Sequence, residues 1–173
     1  LPNKGIPYNP AAGGNFDVNP LDFGAETISG TPFERGNSAI GGKNGTFSGT
    51  NAWVSGLNAA TYTGNTDARL WTPNYNFTVP GTYTLKFYRK NIFEIGWDGF
   101  VVEYTLNKGD TWTPIGAVVA NWYDFANTAG TTAFPLNQPY FNQTKAACTL
   151  CQYNVSALAG NPNVAFRLRF KSD

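Results

Sequence analysis

A strict alternation of apolar and polar residues is the clearest pattern in this chain. Residues 82–89 place an apolar side chain at every second position, and residues 164–171 do the same with Arg and Lys in between. A period of two residues is typical of a strand with one buried face. Both segments are therefore predicted to be half-buried strands, and the basic residues of the second one are expected to point outward.

The stretch 86–115 is rich in aromatic residues and is predicted to form the centre of the fold. Its segment 100–104 alternates large apolar side chains on one side with Val and Glu on the other. Turns are predicted at Asp98 and at residues 107–110, because Asn, Asp and Gly favour turn conformations. The predicted core residues of this stretch are Phe100, Val102, Tyr104 and Trp112.

Turn signals recur about every 8–12 residues, and roughly eight to ten short strands fit between them. No helical pattern alternates with these strands, so a parallel α/β sheet is not expected. The sequence predicts an all-β fold, a two-sheet antiparallel β-sandwich with a jelly-roll-like arrangement. Residues 1–14 are predicted to be a linker or irregular lead-in, and residues 15–173 a single module.

Composition and charge limit the classes of partner. Charged residues make up 13% of the chain, against about 25% in an average domain. The net charge is +1, so no polyanionic partner is indicated. No apolar run approaches the ~18 residues of a membrane span. We therefore expect neither nucleic-acid binding nor membrane insertion.

The lack of histidine in this chain argues against the common kinds of enzyme. Ser–His–Asp and Cys–His catalytic sites both require it, and so does zinc hydrolysis of the usual kind. Glycoside hydrolysis needs two carboxyl groups facing each other across a cleft, and no strand face shows such an array. We expect a non-catalytic protein, with a jelly-roll glycosidase as the less favoured alternative.

The two cysteines, Cys148 and Cys151, have the spacing CxxC. A redox pair would need a helix N-terminus to lower a thiol pKa, but the flanking residues favour a strand. A zinc site would need further Cys or His ligands. Two interpretations remain: a disulfide in a short loop, which would suit an extracellular protein, or two inert thiols.

Several motifs also follow one another in a recognisable order. The matching segments are residues 31–36 (TPFERG), 51–57 (NAWVSGL), 70–73 (LWTP), 97–104 (WDGFVVEY), 109–112 (GDTW), 121–123 (NWY) and 167–173 (RLRFKSD). In this order the chain resembles the MAM-like, cleaved-adhesin-type jelly-roll modules of secreted bacterial proteins, in particular Bacteroidetes-like cell-surface proteins. Such modules continue past this point into a further strand, so the chain is expected to be a fragment of a longer polypeptide.

The resemblance implies a secreted or cell-surface location and an accessory role. The module would mediate adhesion or bind carbohydrate, with glycans, cell-surface proteins or neighbouring domains of the same polypeptide as partners. A different role, that of a purely structural spacer in a surface fibre or secreted protease, is left open. Related modules often carry structural Ca²⁺, which makes Ca²⁺ the expected cofactor.

Aromatic residues beside turns are the candidates for ligand binding. Trp97 lies next to a turn, and Trp122 and Tyr123 lie near a loop, so these rings are predicted to form an exposed platform for a sugar. The alternative is that the same rings fill the core. The polar side chains expected to join them are Asn121, Asp124 and Asn127.

Carboxylates near turns are the candidates for binding Ca²⁺, which prefers oxygen ligands. Glu94 and Asp98 flank the turn that precedes the central strand, and Glu26 and Glu34 lie upstream in a segment rich in turn residues. In the alternative interpretation the Asp98 carboxylate accepts hydrogen bonds from the protein backbone.

Overall fold

The chain folds almost entirely into β-strands. A computed structural model describes residues 16–17, 23–37, 39–43, 46–128 and 133–173, so the lead-in predicted at residues 1–14 lies outside the described residues. Two short 3-10 segments, Ile40–Gly42 and Ser156–Leu158, accompany the strands. The strands are β1 (Gly24–Ser29), β2 (Phe33–Gly36), β3 (Ala52–Ser55), β4 (Asp67–Trp71), β5 (Thr84–Asn91), β6 (Gly99–Thr105), β7 (Thr113–Pro114), β8 (Phe125–Ala126), β9 (Pro139–Tyr140), β10 (Lys145–Asn154) and β11 (Ala165–Lys171).

The main sheet contains five strands in the order β1-β4-β11-β6-β7, and all neighbours are antiparallel. Strand β11 lies at its centre, with Leu168 opposite Leu70 of β4 and Val102 of β6. Alternate apolar positions in these three strands favour a pleat with one buried face. The strand predicted at residues 164–171 thus organises the sheet.

A second layer, the antiparallel ribbon of β5 and β10, packs against one face of the main sheet. The ring centroids of Phe87 on β5 and Phe100 on β6 lie 6.3 Å apart across this interface. The all-β class and the antiparallel sheets are confirmed. The sheets are smaller than in a regular sandwich, because β2–β3 and β8–β9 form separate two-stranded ribbons. Buried residues at the centre of the core are Phe100, Val102, Trp122, Tyr123, Phe141, Cys151, Phe166 and Phe170.

The opposite face of the main sheet, which we call the outer face, has a covered part and an open part. Val101 of β6 packs in a second, smaller apolar cluster with Phe134 and Tyr140, which covers one part. The other part carries ion pairs, and the basic residues of β11 point outward here as predicted. These pairs are Arg169–Asp67 at 2.6 Å, Arg167–Glu103 at 2.5 Å and Arg69–Glu26 at 3.1 Å.

Three of the four core residues predicted for the central stretch belong to the core. Phe100 and Val102 are buried and Tyr104 packs against them. The prediction for Trp112 is wrong, since its ring lies on the outer face, 4.4 Å from the guanidinium carbon of Arg167. The turn after β6 directs it there, because the chain reverses through left-handed backbone conformations that alternation does not describe.

The two cysteines are thiols and are not joined in a disulfide. Both lie in β10, where residues three positions apart point to opposite faces and their Cα atoms are about 10 Å apart. A disulfide requires Cα atoms within about 7 Å. The disulfide prediction is therefore wrong, and the alternative of two thiols is confirmed. Cys151 is 2% exposed, and burial raises the pKa of its thiol, which disfavours the reactive thiolate.

Reducing agent is expected to leave the stability of this protein unchanged, because there is no disulfide bond to break. Cys151→Ser should lower the free energy of unfolding by about 1–3 kcal/mol, since it places a hydroxyl in the apolar core. Cys148→Ser, at a half-buried position, should cost less. Urea denaturation of the native chain with and without dithiothreitol tests the effect of reduction, and a lower midpoint under reducing conditions would contradict the absence of a disulfide. Urea denaturation of the two variants tests the cost of each substitution.

Candidate ligand-binding site

The aromatic platform predicted at Trp122 and Tyr123 is buried. Their side chains are 3% and 1% exposed. The ring of Trp122 packs against Phe141 and Tyr153, with centroids 5.3 and 5.1 Å away. The Tyr123 hydroxyl donates a hydrogen bond to the backbone carbonyl of Val102 at 3.1 Å and accepts one from the backbone N–H of Val102 at 2.8 Å. Buried rings cannot stack on a ligand, so the prediction of an exposed platform at these two residues is wrong.

The polar residues predicted beside that platform mostly hold the framework together. The carboxylate of Asp124 pairs with the buried guanidinium of Arg89 and accepts two backbone N–H groups at 2.8 and 3.1 Å. Asn127 is buried, and its amide donates to the carbonyl of Phe134 at 2.8 Å. Asn121 is exposed, but the rings that follow it are turned inward. The structure does not bring this group together as a ligand site.

Trp97 is exposed, as its position beside a turn predicts, with 45% of its surface accessible. It belongs to the turn between β5 and β6, where its backbone N–H donates to the backbone carbonyl of Glu94 at 3.2 Å. Its participation in ligand binding stays a prediction.

The carboxylates predicted to bind Ca²⁺ occupy three different places. Glu26 pairs with Arg69 on the outer face, and the Glu34 carboxylate accepts a backbone N–H at 2.7 Å. Only Glu94 and Asp98 share a turn, through the Asp98 N–H that donates to the Glu94 carbonyl at 3.0 Å. Among the described residues, no group of three or more His, Cys, Asp or Glu is arranged to hold a metal ion. Glu26 and Glu34 therefore do not join Asp98, and Ca²⁺ binding stays a prediction.

A cleft on the open part of the outer face does combine aromatic, basic and acidic side chains. We call it the outer-sheet cleft, and its volume is about 270 Å³. It lies where β1, β4 and β11 run side by side and the turn after β6 folds over them. The residues that line it are Glu26, Arg69, Trp71, Gly109, Asp110, Trp112 and Arg167.

Cross-strand register explains the floor of this cleft. Arg167 of β11 lies opposite Trp71 of β4 and opposite Glu103 of β6, and directly opposite residues share one face of a sheet. Gly24 of β1 continues the row beyond Trp71. A Cβ atom at Gly24 would come within 2.4 Å of the indole Nε1 of Trp71. The glycine therefore allows the indole to lie against the edge strand.

The turn after β6 supplies the wall. Lys108 and Gly109 have φ angles of 57° and 95°, and the indole N–H of Trp112 donates to the Gly109 carbonyl at 3.1 Å. The guanidinium of Arg167 lies over the Trp112 ring while its Nε donates to Glu103 at 2.5 Å. A guanidinium held by both a ring and a carboxylate is fixed in orientation.

The electrostatics of the outer-sheet cleft are balanced. Glu26 and Asp110 line it together with Arg69 and Arg167, and Glu26 is paired with Arg69 at 3.1 Å. Burial lowers the pKa of Arg167 and the hydrogen bond with Glu103 opposes this change, so the guanidinium stays charged at neutral pH. Within the described part of the chain, the terminal amino groups of Arg167 donate no hydrogen bond to protein, and they are available to a ligand.

A second cleft, of about 560 Å³, lies between the β5–β6 connection and the segments that flank β3. We call it the Tyr62 cleft. The Tyr62 hydroxyl donates to the Asp98 carboxylate at 2.5 Å, and the N–H of Asp173 donates to the same carboxylate at 3.3 Å. Burial raises the pKa of Tyr62 and of Asp98. These polar groups bond one another, whereas the terminal amino groups of Arg167 donate to no described protein group, so the outer-sheet cleft offers a ligand the better set of partners. The Asp173 N–H on the Asp98 carboxylate favours the alternative interpretation of Asp98.

Alternation along β4 explains one part of the outer-sheet cleft. Ala68 and Leu70 are buried apolar residues, so the residues between and beside them must share the opposite face. Arg69 and Trp71 are therefore outward by parity alone. That Trp71 lies beside Arg167 depends on the pairing of β4 with β11, which the sequence alone does not show.

Comparison with protein-family models, with curated proteins and with solved structures found no match to this chain. The strands alone define an all-β protein with antiparallel sheets. Without a match, the resemblance to adhesin-type modules stays a prediction. In the described segments, no helix has the length and apolar character required to cross a membrane.

Asp98 and Asp67 are expected to give opposite pH dependences of stability. At Asp98 burial raises the pKa above the ordinary value of 3.8, more than the hydrogen bond from Tyr62 lowers it. At Asp67 burial acts in the same direction, but the hydrogen bond and charge of Arg169 outweigh it and lower the pKa below 3.8. The folded state thus holds the Asp98 proton more tightly than the unfolded state, and the Asp67 proton less tightly.

Linkage between protonation and folding gives the sign for each group. The contribution of Asp98 to the free energy of unfolding falls as pH rises from 3.8 through the pKa of Asp98 in the folded state. The contribution of Asp67 is lost as pH falls from 3.8 through the pKa of Asp67 in the folded state. Relative to the native chain, Asp98→Asn should gain stability as pH rises and Asp67→Asn should lose it. Urea denaturation between about pH 3 and pH 7 measures both slopes. Parallel pH profiles for the two variants would contradict these assignments.

Proposed function

We propose that this chain is a non-catalytic carbohydrate-binding module of a larger secreted or cell-surface protein, and that it binds glycan in the outer-sheet cleft. The observation that supports this function is the combination of the Trp112 ring with charged hydrogen-bonding groups in one open cleft. The secreted or cell-surface location rests on the resemblance to adhesin-type modules, and the partners it implies are glycans on a surface or in a matrix.

A sugar suits this cleft for three chemical reasons. Its apolar C–H face packs on an indole, and Trp112 offers part of its ring at the wall. Its hydroxyl groups both donate and accept, so Glu26 and Asp110 can accept while Arg69 and Arg167 donate. Two acidic and two basic side chains leave the cleft without net charge, which suits a neutral ligand better than an ion.

The size and openness of the cleft support recognition of a short portion of a glycan. Its volume of about 270 Å³ is just below the range of small-molecule pockets, which measure about 300–1,000 Å³. A shallow site of this kind binds one or two rings weakly. Strong attachment to a surface then comes from several modules acting together.

The same geometry argues against glycoside hydrolysis in this cleft. A general acid in a glycosidase is typically a carboxylic acid kept protonated in an apolar environment. The Glu26 carboxylate is instead paired with Arg69 at 3.1 Å, and its side chain is 45% exposed. Asp110 is also exposed. Exposed carboxylates, one of them paired with an arginine, suit hydrogen bonding to hydroxyl groups rather than proton transfer to a leaving group.

Trp112→Ala should lower glycan affinity at least about tenfold, the equivalent of about 1.4 kcal/mol, because it removes the stacking surface. The native chain and the variant are compared on a glycan array and by polysaccharide pull-down, and the dissociation constant of any bound glycan is then measured by calorimetry. Circular dichroism confirms that the variant is folded. Trp97→Ala is the matched variant, since it removes an exposed tryptophan outside the cleft and should leave affinity unchanged.

Loss of binding in Trp97→Ala with binding retained in Trp112→Ala would place the site at the β5–β6 turn instead. Absence of binding to every glycan would reject the proposal and support the structural spacer. Repeating the pull-down with EDTA shows whether binding depends on Ca²⁺.

A further inference from the structure

The ammonium group of Lys43 is held by the backbone of a single turn. Its Nζ donates to the carbonyl oxygens of Ser55, Gly56 and Ala59 at 2.8, 2.5 and 2.5 Å. A lysine ammonium has three N–H donors and no acceptor, so these bonds use all of them. Most surface lysines extend into water, whereas this one is fixed by three neutral acceptors that converge on one atom.

The turn is held in place by bonds that do not involve Lys43. Gly56 has a φ of 64°, a left-handed conformation that turns its carbonyl toward the same side as that of Ala59. The Ala59 N–H donates to the Gly56 carbonyl at 3.1 Å, and the Gly56 N–H donates to Pro32 at 2.8 Å. The Glu34 carboxylate accepts the N–H of Leu57 at 2.7 Å. The carbonyl groups are therefore directed to one point by the turn itself.

Converging carbonyl oxygens create a negative potential that favours a small cation. The carboxylate of Glu34 adds to it, since its charge raises the pKa of Lys43 against the lowering effect of burial. Without a cation, three partly desolvated oxygens would face one another and each would lose a hydrogen bond, which is unfavourable. Backbone carbonyls together with a carboxylate are also a common ligand set for Ca²⁺ in proteins.

We propose that the turn at residues 55–59 is a cation-binding cage and that the ammonium of Lys43 fills it as a covalently attached cation. The ligand class of the cage is a compact cation coordinated by backbone carbonyl oxygens, such as ammonium or Ca²⁺. Lys43 and Ser55 both line the Tyr62 cleft, so a free cation can enter from solvent once the side chain is shortened. This inference is independent of the glycan-binding proposal.

The proposal predicts chemical rescue. Lys43→Ala should lower the melting temperature by about 5 °C or more, and ammonium chloride or calcium chloride should raise it again in a saturable manner. Lys43→Met keeps the length of the side chain without its charge, so it should be destabilised but not rescued. Tetramethylammonium chloride at equal ionic strength is the control salt, because its ion is too large for the cage. The native chain should respond to none of these cations.

Two further variants sharpen the test. Glu34→Gln combined with Lys43→Ala should weaken rescue by calcium at least about fivefold, because it removes the negative charge beside the cage. Lys90→Ala, which shortens another lysine lining the Tyr62 cleft, should show no cation-dependent rise in melting temperature.

Rescue of Lys43→Ala by ammonium or calcium beyond the effect of tetramethylammonium supports the cage. The same melting temperature in all salts, or an equal response of the native chain, overturns it. If Lys43→Ala does not fold in the control salt, the yield of folded protein in ammonium becomes the readout. Recovery of folding then supports the proposal, and failure to recover overturns it.

Discussion

The pairing of β11 with β4 and β6 determines both the core and the outer surface of this protein. Because side chains alternate along a strand, a shift of one residue would exchange the two faces. In the observed register Phe166 and Phe170 enter the core, while Arg167 and Arg169 emerge beside carboxylates of the neighbouring strands. The hydrophobic effect selects this register, because the alternative would bury the arginines and expose the phenylalanines.

Charge is scarce in this chain, and most of the charged side chains described above have an assigned partner. Arg89 is buried, but it is paired with Asp124 and lies 4.5 Å from the ring centroid of Phe141. Such a charge is tolerated inside a fold when an opposite charge pairs with it. Lys43 shows the same constraint with backbone acceptors in place of a carboxylate. Side chains that keep an unused donor, as Arg167 does, therefore indicate where a ligand could bind.

Local periodicity was sufficient to predict β5, β6 and β11, because alternation is a property of neighbouring residues, but it did not predict β10. It placed Phe100 and Val102 in the core and the β11 arginines outside correctly. The predictions for Trp112, Trp122 and Tyr123, which lie in turns and loops, were wrong. Whether Trp122 turns inward and Trp112 outward depends on the path of the chain between strands, which is set by tertiary packing and by left-handed turn residues. The outer-sheet cleft required cross-strand neighbours, which a single sequence does not reveal.

Gly24 makes the shape of the outer-sheet cleft depend on a residue outside the cleft. The glycine is not among the residues that line the cleft, yet any side chain there would meet the indole of Trp71. One methyl group on the edge strand would displace that ring, which itself lines the cleft. Related chains could thus keep every lining residue and still differ in what they accommodate. Recognition would then depend on a residue that does not itself contact the ligand.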